Sequence, residues 1–453
     1  MLHYTGSMMR LNLSKSLIAM MGLLLTLAAC TPPTPPPSPT PWSTSTSLST
    51  EATSQVARAL AVTSTATPAA QPSPTATPPL TALVLWESLP EAQVQALTSD
   101  IQVFQTEFPQ YAVTLQHYDR PENFMTPLTA GELDFDLILA APPLLNNLWT
   151  AKQIAPLSDF FPPSFIDGFA SVALAGAQQD GEMWALPDTA GFHLLLFYNK
   201  DLIDTPPANT AEVAELARPL TTVNHWGLGL NSYDPLWLTP WLAPHGGWLT
   251  DETGQPDLNT PAMVAALTLY LDWHDDLNGI APVETYNEVR ARFLRGDIAM
   301  LIDGEWAMAE LAPVEELDWG VALLPGVGQI EESDPAAPLV LTRYWAISRS
   351  VRGDRALAVA AFLEHITGPE RQLNWTTQFG LLPTRRQALD DPLIANDPAL
   401  RVSAAQLRAG RVVPLGVNAN TILDAMREPL QGMLDGELTP EEAAEAMQRN
   451  VEN

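Results

Sequence analysis

The stretch Arg292 to Trp306, RFLRGDIAMLIDGEW, holds the side chains best suited to grip a small molecule. It closes on Asp303-Gly304-Glu305-Trp306, two carboxylates and an indole in one turn. An indole gives a flat apolar platform for a ligand face, and carboxylates accept hydrogen bonds from hydroxyls. Two readings stay open for each. Trp306 is either that platform or a core residue at a helix start. Asp303 and Glu305 either bond ligand hydroxyls or cap the helix that follows. Catalytic constellations are missing: there is no His-Glu-x-x-His, no Gly-x-Ser-x-Gly and no phosphate-binding loop. The 7 histidines show no metal-ligand spacing. Gly227-Leu-Gly229 and Gly326-Val-Gly328 lack the third glycine of a dinucleotide fingerprint. A non-enzyme without metal or cofactor is expected.

Elements must place that turn. Gly296 suits the left-handed end of a short helix, and the apolar run Ile298 to Leu301 reads as a buried strand. In open α/β sheets, ligands bind beyond the carboxyl ends of strands, where this turn falls. The folded part opens with Leu80 to Glu87, a strand ending in Trp86 and Glu87. Val94, Leu97, Ile101 and Phe104 recur at helical spacing, Tyr111 to His117 alternates as a strand, and Phe135 to Ala140 is an apolar strand. This β-α-β-α-β order predicts a parallel, doubly wound sheet. A short hairpin or strand is expected at Gly181 to Pro187, and further strands at Phe192 to Lys200, Trp319 to Leu324 and Tyr344 to Ser348. Helices are expected from Thr260-Pro261 to about Leu277, from Asp354 to Ile366, and from Pro440 to Val451.

The chain has 453 residues and a net charge of −30, which argues against nucleic acid and against a polybasic membrane mode. Arg10 and Lys15 precede the short apolar run Leu17 to Ala29, which fits a signal segment over residues 1–29. It ends Leu27-Ala28-Ala29-Cys30, which resembles the bacterial lipobox, and Cys30 is the only cysteine. Lipidation at Cys30 and a membrane anchor are expected. Between Thr31 and Pro79 lie 12 Pro and 20 Ser or Thr with only Glu51 and Arg58 charged. Such a segment buries too little apolar surface to fold, so residues 30–79 read as an extended tether.

Several motifs then fall in one order: Leu83-Val-Leu-Trp86, Asp136-Leu-Ile-Leu, Trp184-Ala-Leu-Pro187, Phe197-Tyr-Asn-Lys200, the stretch ending at Trp306, Asp318-Trp-Gly320, Trp345-Ala-Ile-Ser348, Gly380-Leu-Leu-Pro383, Val413-Pro414 and Leu438-Thr-Pro-Glu-Glu-Ala443. Their joint order resembles the extracellular solute-binding proteins of ABC importers, in particular the maltose-binding-like group. That resemblance implies an α/β, two-lobed periplasmic-binding-protein fold of type II with discontinuous lobes: 80–190 with 340–393, and 195–338 with 397–451. It implies an extracytoplasmic monomer whose lobes close on a solute, most simply a sugar, and deliver it to importer membrane subunits. The alternatives are a lipid-anchored sensor of the same fold, or a non-sugar solute such as a polyol or polyamine.

By the same resemblance, Trp306 stacks the ligand, with Asp303 and Glu305 in its turn. Trp86 and Glu87 would face the cleft from lobe one. Trp237 and Trp241, with Asp234 nearby, fall at an aromatic subsite, or else form a core wedge with Trp226 and Trp248. Arg343 and Tyr344 would reach the cleft, unless Arg343 pairs with Glu87. Two departures stand out. Phe192 and His193 occupy the crossover where the family often has a carboxylate. Ala140-Ala-Pro142-Pro143-Leu-Leu145 replaces the polar residues of maltose-type proteins, making the lobe-one wall more apolar and a different solute conceivable.

Overall fold

The alternation of side chains along Thr81–Glu87 sets the layering of the first sheet. The computed structural model describes residues 80–131, 134–274, 279–328 and 335–452. The expected signal segment, the lipidated Cys30 and the tether lie outside these residues, as does Leu277. Thr81–Glu87 pairs in parallel with Tyr111–His117 and Leu137–Ala140. Leu341–Ile347 adds antiparallel to Leu137–Ala140, followed by Ala185–Gly191 and Leu382–Pro383 at the edge. The expected parallel unit is present, and the returning chain makes the sheet mixed.

Successive strand residues face opposite sides. Leu83, Leu85, Leu137, Leu139, Trp345 and Ile347 turn to one layer with Phe104 and Phe362. Ile138, Ala140, Tyr344 and Ala346 turn to the other, with Phe124 and the leucines of helix Pro142–Thr150. The second sheet has the order Trp319–Ala322, Leu194–Asn199, Ile298–Gly304, Trp226–Gly229. Leu194, Leu196, Met300 and Ile302 face a large core built on Pro261–Trp273, Ala419–Leu434 and Pro440–Glu452. Leu195, Phe197, Ile298 and Leu301 face a smaller one with Phe293. Each sheet therefore owns two apolar layers, which is the two-lobed architecture.

Local signals act as read. Thr260 Oγ accepts the Met263 N–H ahead of Pro261, and Gly296 adopts φ +79. Among the described residues, no helix is long and apolar enough to cross a membrane.

The crossings between sheets lie side by side. Gly191 pairs with Leu341, and Leu339 bridges Arg411, with Val340 N–H on Arg411 O at 2.7 Å. A Cβ on Gly410 would strike Val340, so only glycine lets these two crossings touch. Helix Pro398–Ala409, expected in lobe two, is shared. Ala404 and Leu407 pack with Ala173, Ala190 and Leu382, while Gln406 bonds Leu324 N–H at 2.7 Å and Ala336 O at 3.1 Å. The following loop straps both lobes. Val413 and Val417 pack on the lobe-two core, Leu415 is buried among lobe-one residues, and Gly416 N–H donates to Asn146 at 2.9 Å.

Candidate functional site

A cavity of about 300 Å³ lies between the lobes at these crossings. Ala141, Pro142, Pro143, Gly176, Thr342 and Tyr344 line it from lobe one. Val412, Val413, Val417 and Asn418 to Asn420 line it from lobe two, and Phe192 lines it from the hinge. Two larger grooves, of about 510 and 600 Å³, are lined by lobe-one residues alone.

The lobe-one wall is poor in donors for a definite reason. Pro142 and Pro143 open helix Pro142–Thr150, so the first turn lacks N–H groups there. Hydroxyls supply what polarity remains. Tyr344 is buried and donates to Ala173 O at 2.8 Å; burial raises its phenol above the ordinary value. Thr342, buried beside it, has Oγ1 without a hydrogen-bond partner of normal geometry. Opposite, Asn418 caps helix Ala419–Leu434 by accepting from Asn420 N–H at 3.1 Å, so the helix start and two side-chain amides face the cavity. Among the described residues, no charged side chain lines it.

The turn after Ile298–Gly304 forms a network one ring removed from the cavity. Trp306 Nε1–H donates to Tyr286 OH at 2.7 Å, which donates to Asp303 at 3.1 Å. Asp303 is fully buried, accepts from Gly304 N–H at 2.8 Å and pairs with the Arg290 guanidinium, whose Nε lies 3.1 Å away. Desolvation prevails over these partners and pushes Asp303 up to about 6; burial likewise pushes Tyr286 up to about 12. Any side chain on residue 304 would collide with the Trp306 ring, so Gly304 is what lets the indole fold back over the strand end.

Glu305 reaches across to the hinge. Its Oε1 accepts Phe192 N–H at 2.7 Å, and its own N–H donates to His193 O at 3.1 Å. This clasp holds Phe192 at φ +61, a conformation that costs a bulky residue on the order of 1–3 kcal/mol. The Phe192 ring, 52% exposed, packs on Trp306 with centroids 4.8 Å apart and planes at 44°. Burial pushes Glu305 up to about 7 and His193 down to about 4. At neutral pH the imidazole is therefore uncharged, and its 4.0 Å approach to Glu305 Oε2 is not an ion pair. His193 Nε2 instead meets Ser403 Oγ at 3.0 Å.

The sequence-predicted residues divide. Asp303, Glu305 and Trp306 come together as one network, and Tyr344 lines the cavity. Trp237 is 4% exposed and its indole N–H bonds Ile302 O at 2.7 Å; it backs Trp306 edge-on at 6.4 Å. Trp241 is 1% exposed against Trp273, which makes it a core wedge with no open face. Asp234 caps the turn at Pro235 through Leu236 N–H. Trp86 packs edge-on against Phe124 at 5.3 Å and donates to Asp134 O. Glu87 is fully buried on Leu89 N–H and His117. The Arg343–Glu87 pairing is corrected: Arg343 binds Asp188 at 2.6 Å and Gln93 at 2.9 Å. That Asp188 also holds Arg371 at 2.7 Å and Trp345 at 2.9 Å. Thr342, Asn418, Asn420 and Tyr286 were not anticipated. Asn418 had a readable signal, an asparagine immediately before a helix.

Comparisons with known proteins follow this geometry. Residues 101–402 match the profile of the family described as bacterial extracellular solute-binding protein. A maltotriose-binding protein of Pyrococcus abyssi is 23% identical over 336 residues, covering 70% of this chain and 70% of that one. The sn-glycerol-3-phosphate-binding periplasmic protein of Escherichia coli K12 is 22% identical over 415 residues, covering 80% and 90%. Among solved structures, the maltose/maltodextrin-binding domain of Bdellovibrio bacteriovorus bound to maltotriose superposes with a TM-score of 0.63 and 26% identity, covering 82% of this chain and 98% of that one. A cyclo/maltodextrin-binding protein complexed with maltotetraose gives 0.72 at 21% identity, covering 83% and 98%.

Proposed function

We propose a function from one premise: the chain belongs to the bacterial extracellular solute-binding proteins, and so works outside the cytoplasm. It binds a neutral, hydroxyl-bearing solute, a carbohydrate, between its lobes and hands it to the membrane subunits of an ABC importer. It is a binding protein and not an enzyme. The observation that carries the solute class is the absence of charge from the cavity lining. A phosphate ester of the kind named for the Escherichia coli relative calls for Lys or Arg, and a polyamine calls for carboxylates. Hydroxyls and amides from Thr342, Tyr344 and Asn418, beside the exposed Phe192 ring, suit a ligand with an apolar face and a hydroxylated edge. A ligand touching both walls favours the closed arrangement by its differential affinity. Cys30 carries lipid and residues 30–79 are the tether, a reading supported by the composition of that segment.

A thermal-shift screen of the full-length protein tests this against neutral saccharides, glycerol phosphate, polyols and polyamines. A neutral saccharide raises the melting temperature, because it binds only the native state. A shift with glycerol phosphate or a polyamine and none with any saccharide sinks the reading. Palmitate labelling of the expressing cells reports the anchor, and an unlabelled protein would remove Cys30 from the account.

A further inference from the structure

We propose that Phe192 sets the size of ligand the cleft accepts, limiting it to one or two sugar rings stacked on Phe192 itself rather than on Trp306. This rests on the carbohydrate reading above. Four observations converge on it.

Phe192 lines the cavity, whereas Trp306 is not among the lining residues and touches the Phe192 ring at 4.8 Å between centroids. The phenyl ring thus stands between the indole and the ligand space. The ring is half exposed, although it is an apolar side chain at the centre of the molecule. An aromatic face left open toward a cavity is where a sugar's C–H face would settle. Third, the backbone is held in this arrangement against its preference. Phe192 sits at φ +61, and Glu305 Oε1 takes its N–H at 2.7 Å. The preceding residue must be glycine for the clasp to close, since a Cβ at Gly191 would lie 2.6 Å from Glu305 Oε1. Relaxing to an ordinary φ would swing the ring away from Trp306. Last, the cavity of about 300 Å³ is at the low end of small-molecule sites. Pro142 and Pro143 close one side, and the strap residues Val412, Val413 and Val417 the other. Toward the indole, the Phe192 ring stands in the way.

Removing the ring while keeping the backbone tests this. Phe192→Gly suits φ +61 and so preserves the fold; Phe192→Tyr keeps the block. Full-length wild type and both variants are titrated calorimetrically with one- to four-ring saccharides of the gluco, galacto, manno and xylo series. Wild type and Phe192→Tyr bind one- or two-ring members of a series, and three- and four-ring members about tenfold more weakly or worse. In Phe192→Gly the ratio of three-ring to one-ring affinity rises by about tenfold or more, as the Trp306 face opens. The proposal is overturned, and the carbohydrate reading kept, if wild type binds three rings as tightly as one. An unchanged ratio in Phe192→Gly also overturns it. Binding of no saccharide by any of the three proteins overturns the carbohydrate reading and this proposal with it.

Discussion

Asp188 and Glu305 are carboxylates buried at the two ends of the same crossover, and they are held in opposite ways. Asp188 lies within the lobe-one strand Ala185–Gly191 and receives Arg343, Arg371 and the Trp345 indole. Burial works against its ionisation, but the two guanidiniums overcome this and hold it below the usual carboxylate range. Glu305 starts from lobe two and meets only backbone N–H groups and a neutral imidazole, so burial prevails and its affinity for protons rises. One end of the crossover is fixed by charge, while the other is held by a few neutral hydrogen bonds. A hinge needs this asymmetry: a firm anchor in one lobe and a contact in the other that yields at modest cost.

The largest test breaks the anchor. Asp188→Asn takes the carboxylate from Arg343 and one of two from the 6% exposed Arg371, which keeps Asp100 at 3.1 Å. Losing one partner of a buried pair costs about 3–5 kcal/mol, readable in urea denaturation; a loss under about 1 kcal/mol would mean that Gln93, Asp100 and water replace it. Next is the yielding end. Trp306→Ala removes a partly buried indole and its bond to Tyr286, for about 2 kcal/mol. It also lets water reach Glu305, whose titration then moves down toward the ordinary value, measurable by carboxyl NMR. If the titration stays put, Trp306 is not what keeps Glu305 dry.

The smallest effect is one of shape. A carboxyl raised from 4.5 to about 7 contributes stability that is full below pH 4.5 and is lost as pH rises through about 7. His193, lowered from 6.5 to about 4, contributes stability present above 6.5 and lost as pH falls toward 4. The two slopes oppose each other in one window. Glu305→Gln deletes one slope, and its stability should rise with pH between about 4.5 and 7 relative to wild type. A variant profile parallel to wild type would show that Glu305 does not titrate in this window. Asp188 leaves its signature lower, in stability lost as pH falls below 3.8.

Much of the fold was legible because it is written in local periodicity. Alternating leucines in Thr81–Glu87, the Thr260-Pro261 start and the Gly296 stop each act within a few residues. The turn from Asp303 to Trp306 was legible as a local unit, yet none of its residues lines the cavity, whereas Tyr344 does. Arg343 was misplaced because its partner is Asp188, 155 positions away, and nothing in a strand's pattern names the carboxylate beside it. The resemblance put Trp237 and Trp241 at an aromatic subsite, and the density of tryptophans there left a core wedge as the alternative. Short turns at Pro235 and Pro240 wind both indoles into the core, an outcome set by the loop's path rather than its composition. Asn418 and Asn420 drew no reading from the sequence, since which helix end meets the other lobe is a tertiary fact.

The strap that sends Leu415 into lobe one has a mechanical consequence. Three crossings side by side leave the lobes a single axis to turn about. Leu415 and Gly416 follow the third crossing in the chain and tie that loop back to lobe one. Parting the lobes at the strap would take Leu415 out of its buried site and break the Gly416 bond to Asn146 in one movement.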